Sequence, residues 1–190
     1  MKQFFSIVMA LLFLSGCART TLTSAWKLRN VRPETTNLQM LRFAVQIPKQ
    51  FRFDQTGVAL VLQSKKKQGF KARREPFVLE RDRVAGFERA LAEYQISSST
   101  IYVYKIAAED VGRFDRFRKW TKKNGLKGSM TIGPRRLCRL KVRLPKSILM
   151  SSFIKTQETK VFVPLAIDVD FLQELGHTDV RKMAPVCKRK

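Results

Sequence analysis

Apolar and polar residues alternate over "LRFAVQIP": Leu41, Phe43, Val45 and Ile47 fall on one side, and Arg42, Ala44 and Gln46 on the other. Period two predicts a strand, which Pro48 ends because it has no N–H for the ladder. The run "GVALVLQ" (57–63) is apolar throughout and predicts a buried strand. A basic loop over 65–75, the tip of a long hairpin, separates it from a further strand over 76–82. "TIYVYKI" (100–106) is β-branched and aromatic and predicts another. "GSMTIGP" (128–134) is short and strand-like. "CRLKVRLP" alternates, with Cys138, Leu140, Val142 and Leu144 on one face and Arg139, Lys141 and Arg143 on the other until Pro145. "SSFIKTQ" and "KVFVPLAID" read as a hairpin around Glu158 and Thr159.

Helical spacing appears in fewer places. Val84, Phe87, Leu91 and Tyr94 share one helical face, with Asp82 as N-cap and Gly86 weakening the prediction. The stretch 107–125 is the clearest helix. Glu109 and Asp110 open it, Arg118, Lys119, Lys122 and Lys123 close it, and Asn124 with Gly125 supplies a left-handed end. Its stripe of Ala107, Val111, Phe114 and Phe117, with Trp120 at the edge, predicts a core face. Asp170 and Gln173 have capping-box spacing for a last short helix that Gly176 stops. Together these elements predict an α+β fold: a mostly antiparallel sheet of about six or seven strands with two or three helices and one face covered.

The N-terminus follows neither period. Lys2 precedes an apolar stretch from Phe4 to Leu14, roughly half the ~20 residues that a membrane-spanning helix needs. A charged start, a short apolar middle and small residues form the layout of a cleavable signal. The stretch ends Leu14-Ser15-Gly16-Cys17, which resembles the lipobox of bacterial lipoproteins. The resemblance covers residues 1–17 only. It implies cleavage between Gly16 and Cys17 and acylation of Cys17, palmitate included. Two or three acyl chains hold a protein on a membrane essentially permanently. Ala18, in place of an aspartate, implies the outer membrane with the domain facing the periplasm. The organisation expected is then a cleaved signal over 1–16, a lipid-attachment cysteine and tether over 17–37, and a single periplasmic domain over 38–190. The tether lacks a clear period and is rich in threonine, asparagine and charge; its Trp26 either dips into the membrane interface or docks on the domain.

Charge changes the picture next. The chain carries 38 lysines and arginines against 15 acids, a formal +23. Lys2 is the one charge lost with the signal, so the remainder carries +22. Such an excess implies contact with anions. Behind an export signal those anions are acidic phospholipid, lipopolysaccharide phosphate or cell-wall polymer, or an acidic protein partner. Lys65, Lys66, Lys67, Lys71, Arg73 and Arg74 form one cluster, and Arg139, Lys141 and Arg143 a second. Aromatic residues are not interleaved with either, so nucleic acid is the weaker binding partner. With Cys17 assigned to lipid, Cys138 and Cys187 remain as an even pair, and an oxidising compartment favours a bridge between them.

Catalytic patterns are sparse. His177 is the single histidine, with Asp179 two residues on, and no G-x-S-x-G elbow accompanies them. A hydrolase built on His177 is the alternative from another class, and a nucleic-acid binder with a misread start is a third. The "DVD" at Asp168 to Asp170 lacks the other oxygen ligands of a calcium loop, and Asp170 suits a helix cap. No metal set or phosphate-binding loop is spelled out, and no cofactor is called for. The expectation is a non-enzymatic envelope lipoprotein with a binding or accessory role.

Overall fold

The computed structural model describes residues 22–32, 35–65, 71–140, 145–174, 182 and 184–188. The strands are β1 Arg42–Pro48, β2 Phe51–Phe53, β3 Val58–Ser64, β4 Arg74–Arg81, β5 Ser99–Ile106, β6 Gly128–Pro134, β7 Leu137–Arg139, β8 Leu149–Lys155 and β9 Val163–Asp170. The helices are α1 Leu22–Leu28, α2 Phe87–Ala90, α3 Ala108–Lys123 and α4 Phe171–Glu174, with a 3-10 turn over Ala92–Tyr94. Seven strands form one sheet in the order β6-β3-β4-β5-β1-β8-β9, and every neighbouring pair is antiparallel. β2 and β7 form a separate two-stranded ribbon. This is the α+β arrangement that the periodicities predict.

Alternation decides which side chains meet. Phe43, Val45 and Ile47 of β1 join Leu60 of β3, Phe77 of β4 and Tyr104 of β5 in the main core. Helix α3 covers this face from β4. The Phe114 ring lies 5.2 Å from that of Phe77, and Asp110 in the first helical turn accepts the Val78 N–H at 2.9 Å. Arg113 one turn on donates to Asp110 at 2.8 Å and to the Pro76 carbonyl at 2.7 Å. The helix ends as expected, with Gly125 at φ +58°. Gly125 N–H donates to the Lys122 carbonyl and Leu126 N–H to the Thr121 carbonyl, while Leu126 is buried, the pattern of a Schellman ending. The ribbon closes the same core through Phe51, Phe53 and Leu137, with Phe53 edge-on to Tyr102 at 5.6 Å. Gly57 has to be glycine there, because a Cβ would lie 2.6 Å from the Arg136 carbonyl oxygen.

The opposite face of the sheet is covered at its centre. Ala44, Val103 and Phe153 form a smaller cluster with Leu91 and Phe162. The predicted helix over 84–94 is interrupted here. Gly86 takes φ +100°, and the chain forms only α2 and the 3-10 turn. Asp82 is no helix cap. It pairs with Arg42 and accepts the Val84 N–H, leaving Val84 exposed. Phe87, Leu91 and Tyr94 still reach the sheet, with Tyr94 stacked 4.7 Å from Phe153. The stretch expected to be a tether is described from residue 22, and there it packs on the domain. α1 lies along β9, Ser24 and Thr36 are buried, and Arg118 of α3 donates to the Thr36 carbonyl at 2.7 Å. Trp26 points outward at 67% exposure beneath the Arg29 guanidinium.

Two buried polar side chains make opposite demands. Gln46, on the outer face of β1, donates from Nε2 to the Tyr94 carbonyl and to Ser99 Oγ, both at 2.7 Å. The Tyr104 hydroxyl is buried without a partner among the described residues, and burial pushes its pKa well above the ordinary tyrosine value. A buried group stripped of its partner costs ~1–3 kcal/mol. Gln46→Ala is therefore expected to destabilise by ~1–3 kcal/mol, and Tyr104→Phe to be neutral or stabilising by up to ~1 kcal/mol. Urea unfolding of both variants checks this. Equal losses in the two would contradict the assignment.

Candidate anion-binding surface

The β3–β4 hairpin carries the first basic cluster to one end of the sheet. Lys65 leaves β3, and its N–H donates to the Lys127 carbonyl at 2.8 Å. Arg73 re-enters against Ser64, donating its N–H to Ser64 Oγ at 2.9 Å while its carbonyl accepts the Ser64 N–H. Lys65, Lys71, Arg73 and Arg74 are all exposed. Lys66 and Lys67 lie outside the described residues. The guanidinium of Arg73 is held in place: it pairs with Glu75 and stacks 5.1 Å from the centre of the Trp120 indole. Its charge is thereby answered by a carboxylate, and Lys65, Lys71 and Arg74 supply the outward-facing cations.

Helix α3 adds to this cluster. Its C-terminal turn ends at Lys122 and Lys123, and Lys127 follows directly against Lys65. All three are exposed. Read along the sequence, Lys122 and Lys123 complement the helix dipole. Their place beside the 65–74 hairpin depends on β6 pairing with β3, which no local pattern announces. The hairpin and the helix end thus build one cationic corner from segments some 50 residues apart in the chain.

The second expected cluster is built differently. β7 is three residues long and pairs with β2. The predicted alternation holds over the described residues 138–140, but the face with Arg139 is the inward one. Leu137 enters the core, so Arg139 shares its face, while Cys138 lies on the other side and Leu140 is 49% exposed. The C-terminal tail runs parallel beside β7 at this point. Arg139 donates from Nη1 to the Ala184 carbonyl at 2.5 Å and from its N–H to the Pro185 carbonyl at 2.9 Å, and its own carbonyl accepts the Cys187 N–H. A disulfide between Cys138 and Cys187, with Cα atoms 5.0 Å apart, ties the same strand to the tail. Arg139 is thus a half-buried clasp for the tail rather than an outward cation. Lys141 and Arg143 lie outside the described residues. Arg52, Arg135 and Arg136, which sequence reasoning passed over, are exposed around this ribbon.

The two basic regions do not converge. Ser64 pairs with Gly128 at one end of the β3–β6 ladder and Val58 with Pro134 at the other. At ~3.4 Å per residue that is about 20 Å. Asp82, Glu75, Asp110 and Asp115 each meet an arginine, and the ion pairs between described residues are all made by arginines. At the corner, Lys65, Lys71, Lys122, Lys123 and Lys127 stand exposed beside Arg74.

The residues considered for other chemistry are engaged or undescribed. Asp168, at φ +50°, exchanges hydrogen bonds with Ser151, and Asp170 Oδ1 accepts the Leu172 N–H at 3.0 Å, capping α4 as expected. His177, Asp179 and Gly176 lie outside the described residues, as do Gly16 and Cys17. Among the described residues no group of histidine, cysteine, aspartate or glutamate is placed to hold a metal ion, and no helix is long and apolar enough to cross a membrane. A shallow polar cleft of ~350 Å³ lies between residues 35–39 and α3, lined by Asp115 and Arg118 among others. No protein-family model, curated protein or solved structure matches the chain.

The disulfide closes a loop of 49 residues in sequence separation. The chain-entropy argument gives such a loop ~4 kcal/mol of stabilisation. Cys187→Ser is expected to lower the unfolding free energy by up to ~4 kcal/mol in denaturant melts. A melt unchanged from that of the parent protein would contradict a structural bridge.

Proposed function

We propose that this chain is a lipid-anchored envelope lipoprotein of the outer membrane. Its basic periplasmic domain has a binding or accessory role toward anionic envelope components or an acidic partner. The observation that carries the reading is the Leu14-Ser15-Gly16-Cys17 motif at the end of a short apolar stretch, followed by a chain of +22 formal charge. Three features support it. The Cys138–Cys187 bridge suits an oxidising compartment and leaves Cys17 as the unpaired cysteine. The exposed corner of Lys65, Lys71, Arg74 and Lys127 is a surface that anionic head groups would meet, at ~1 kcal/mol per basic residue before screening. Trp26 and Lys27 are exposed on α1 and Arg29 just after it, nine residues or so after Cys17, a span of at most about 30 Å when extended. An indole and flanking cations suit a membrane interface.

The anchor is tested by metabolic labelling with palmitate. Label is expected in the wild-type chain and absent in Cys17→Ala, which would also shift the protein from the membrane to the soluble fraction. Label retained in Cys17→Ala would overturn the anchor. The anionic surface is tested separately, by co-sedimentation of the Cys17→Ala protein with vesicles. Binding is expected to anionic but not to neutral vesicles, and to fall several-fold between ~50 mM and ~500 mM salt as screening shortens the reach of the charges. Equal binding to both vesicle types would contradict it.

A further inference from the structure

The sheet has two free edges, and they are treated differently. β9 is blunted. It carries Pro164, its register against β8 shifts between Met150 and Phe153, Asp168 takes a left-handed φ, and α1 lies against it. These are the devices that keep an edge strand from pairing with a foreign chain. β6 has none of them over Gly128 to Ile132. Its register with β3 is unbroken from Gly128 to Pro134, it contains no charged residue, and among the described residues it pairs with β3 alone.

Hydrogen bonds at the two ends of the ladder fix which backbone groups face outward. Lys65 N–H donates to the Lys127 carbonyl, and Arg135 N–H donates to the Gly57 carbonyl. The same register therefore turns the N–H and C=O groups of Ser129, Thr131 and Gly133 toward β3. Those of Gly128, Met130 and Ile132 point away from the sheet. Exposed cations flank them: Lys127 before the strand, Arg135 and Arg136 after it.

We propose that the β6 edge is the docking site for an extended acidic segment of another protein, which adds to the sheet as a further strand beside β6. The charge at both ends selects the occupant. A second copy of this chain would set Lys127 against Arg135 if antiparallel, or like against like if parallel, and each arrangement opposes cations. An acidic strand instead places carboxylates beside Lys127 and Arg135 while its backbone pairs with Met130 and Ile132. The proposal stands whether or not Cys17 carries lipid, and it gives the acidic-partner role a surface.

The test is fluorescence anisotropy of the purified full-length protein with a labelled peptide, Glu-Glu-Thr-Val-Thr-Val-Thr-Glu-Glu. Saturable binding is expected. It should weaken by about tenfold or more in Met130→Pro, which removes an outward N–H, and stay within about threefold in Met130→Ala, which keeps it. Lys127→Glu with Arg135→Glu should also weaken it by about tenfold. If Met130→Pro does not fold, the peptide N-methylated at alternate residues serves instead, and its binding should be lost. Binding that ignores both Met130→Pro and N-methylation, or no binding at all, would overturn the proposal. So would a concentration-dependent dimer without peptide that Met130→Pro abolishes, since that outcome assigns the edge to a second copy.

Discussion

The seating of α3 on β4 is the constraint from which the rest of the molecule follows. Asp110 accepts the Val78 N–H from the helix's first turn, Arg113 reaches the Pro76 carbonyl, and Phe114 lies on Phe77. A charge-accepting carboxylate on a strand N–H is worth more than a neutral hydrogen bond, and the aromatic contact buries a large apolar area beside it. The helix leaves β5, crosses the core face over β4, and delivers the chain to the far side of β3, where β6 forms. Three consequences share that origin. The main core gains its cover. The lysines at the helix end arrive beside the 65–74 hairpin. The last strand of the crossing becomes an edge with nothing beyond it among the described residues.

Stability and charge are separated in this architecture. Four arginines are spent on structure: Arg42 on Asp82, Arg113 on Asp110, Arg118 on Asp115 and the Thr36 carbonyl, Arg139 on the tail. Their planar donors suit fixed geometry. Lysines such as Lys65, Lys71, Lys122, Lys123 and Lys127 stand in solvent. They contribute to the long-range field that would draw the domain toward anions, and add little to the fold.

Much of the fold was legible in the sequence because its signals are local. Period two marks β1, β-branched and aromatic content marks β5, and the 4-3-3 spacing of Ala107, Val111, Phe114 and Phe117 marks α3. Asn124 and Gly125 mark where that helix stops, and Asp170 caps α4 as its spacing predicts. What failed was set by tertiary contact. Gly86 and the Arg42–Asp82 pair stop a helix that apolar spacing alone supports. The tail paired beside β7 takes up Arg139, which alternation alone would leave outward. β2 is too short for period two to register. The site was legible in composition and not in placement. The basic runs are plain to read, but strand pairing alone joins residues 65–74 to 122–127 and sets the β7 ribbon at the other end of the β3–β6 ladder.

The account rests most directly on the phase of β6 within the ladder, because that phase follows from the α3 crossing and defines the open edge. Amide hydrogen exchange resolved by residue measures it. Ser129, Thr131 and Gly133 are expected to be protected by their bonds to β3, while Met130 and Ile132 exchange near the rate of an unprotected amide. Uniform protection along the strand, or the opposite alternation, would contradict it.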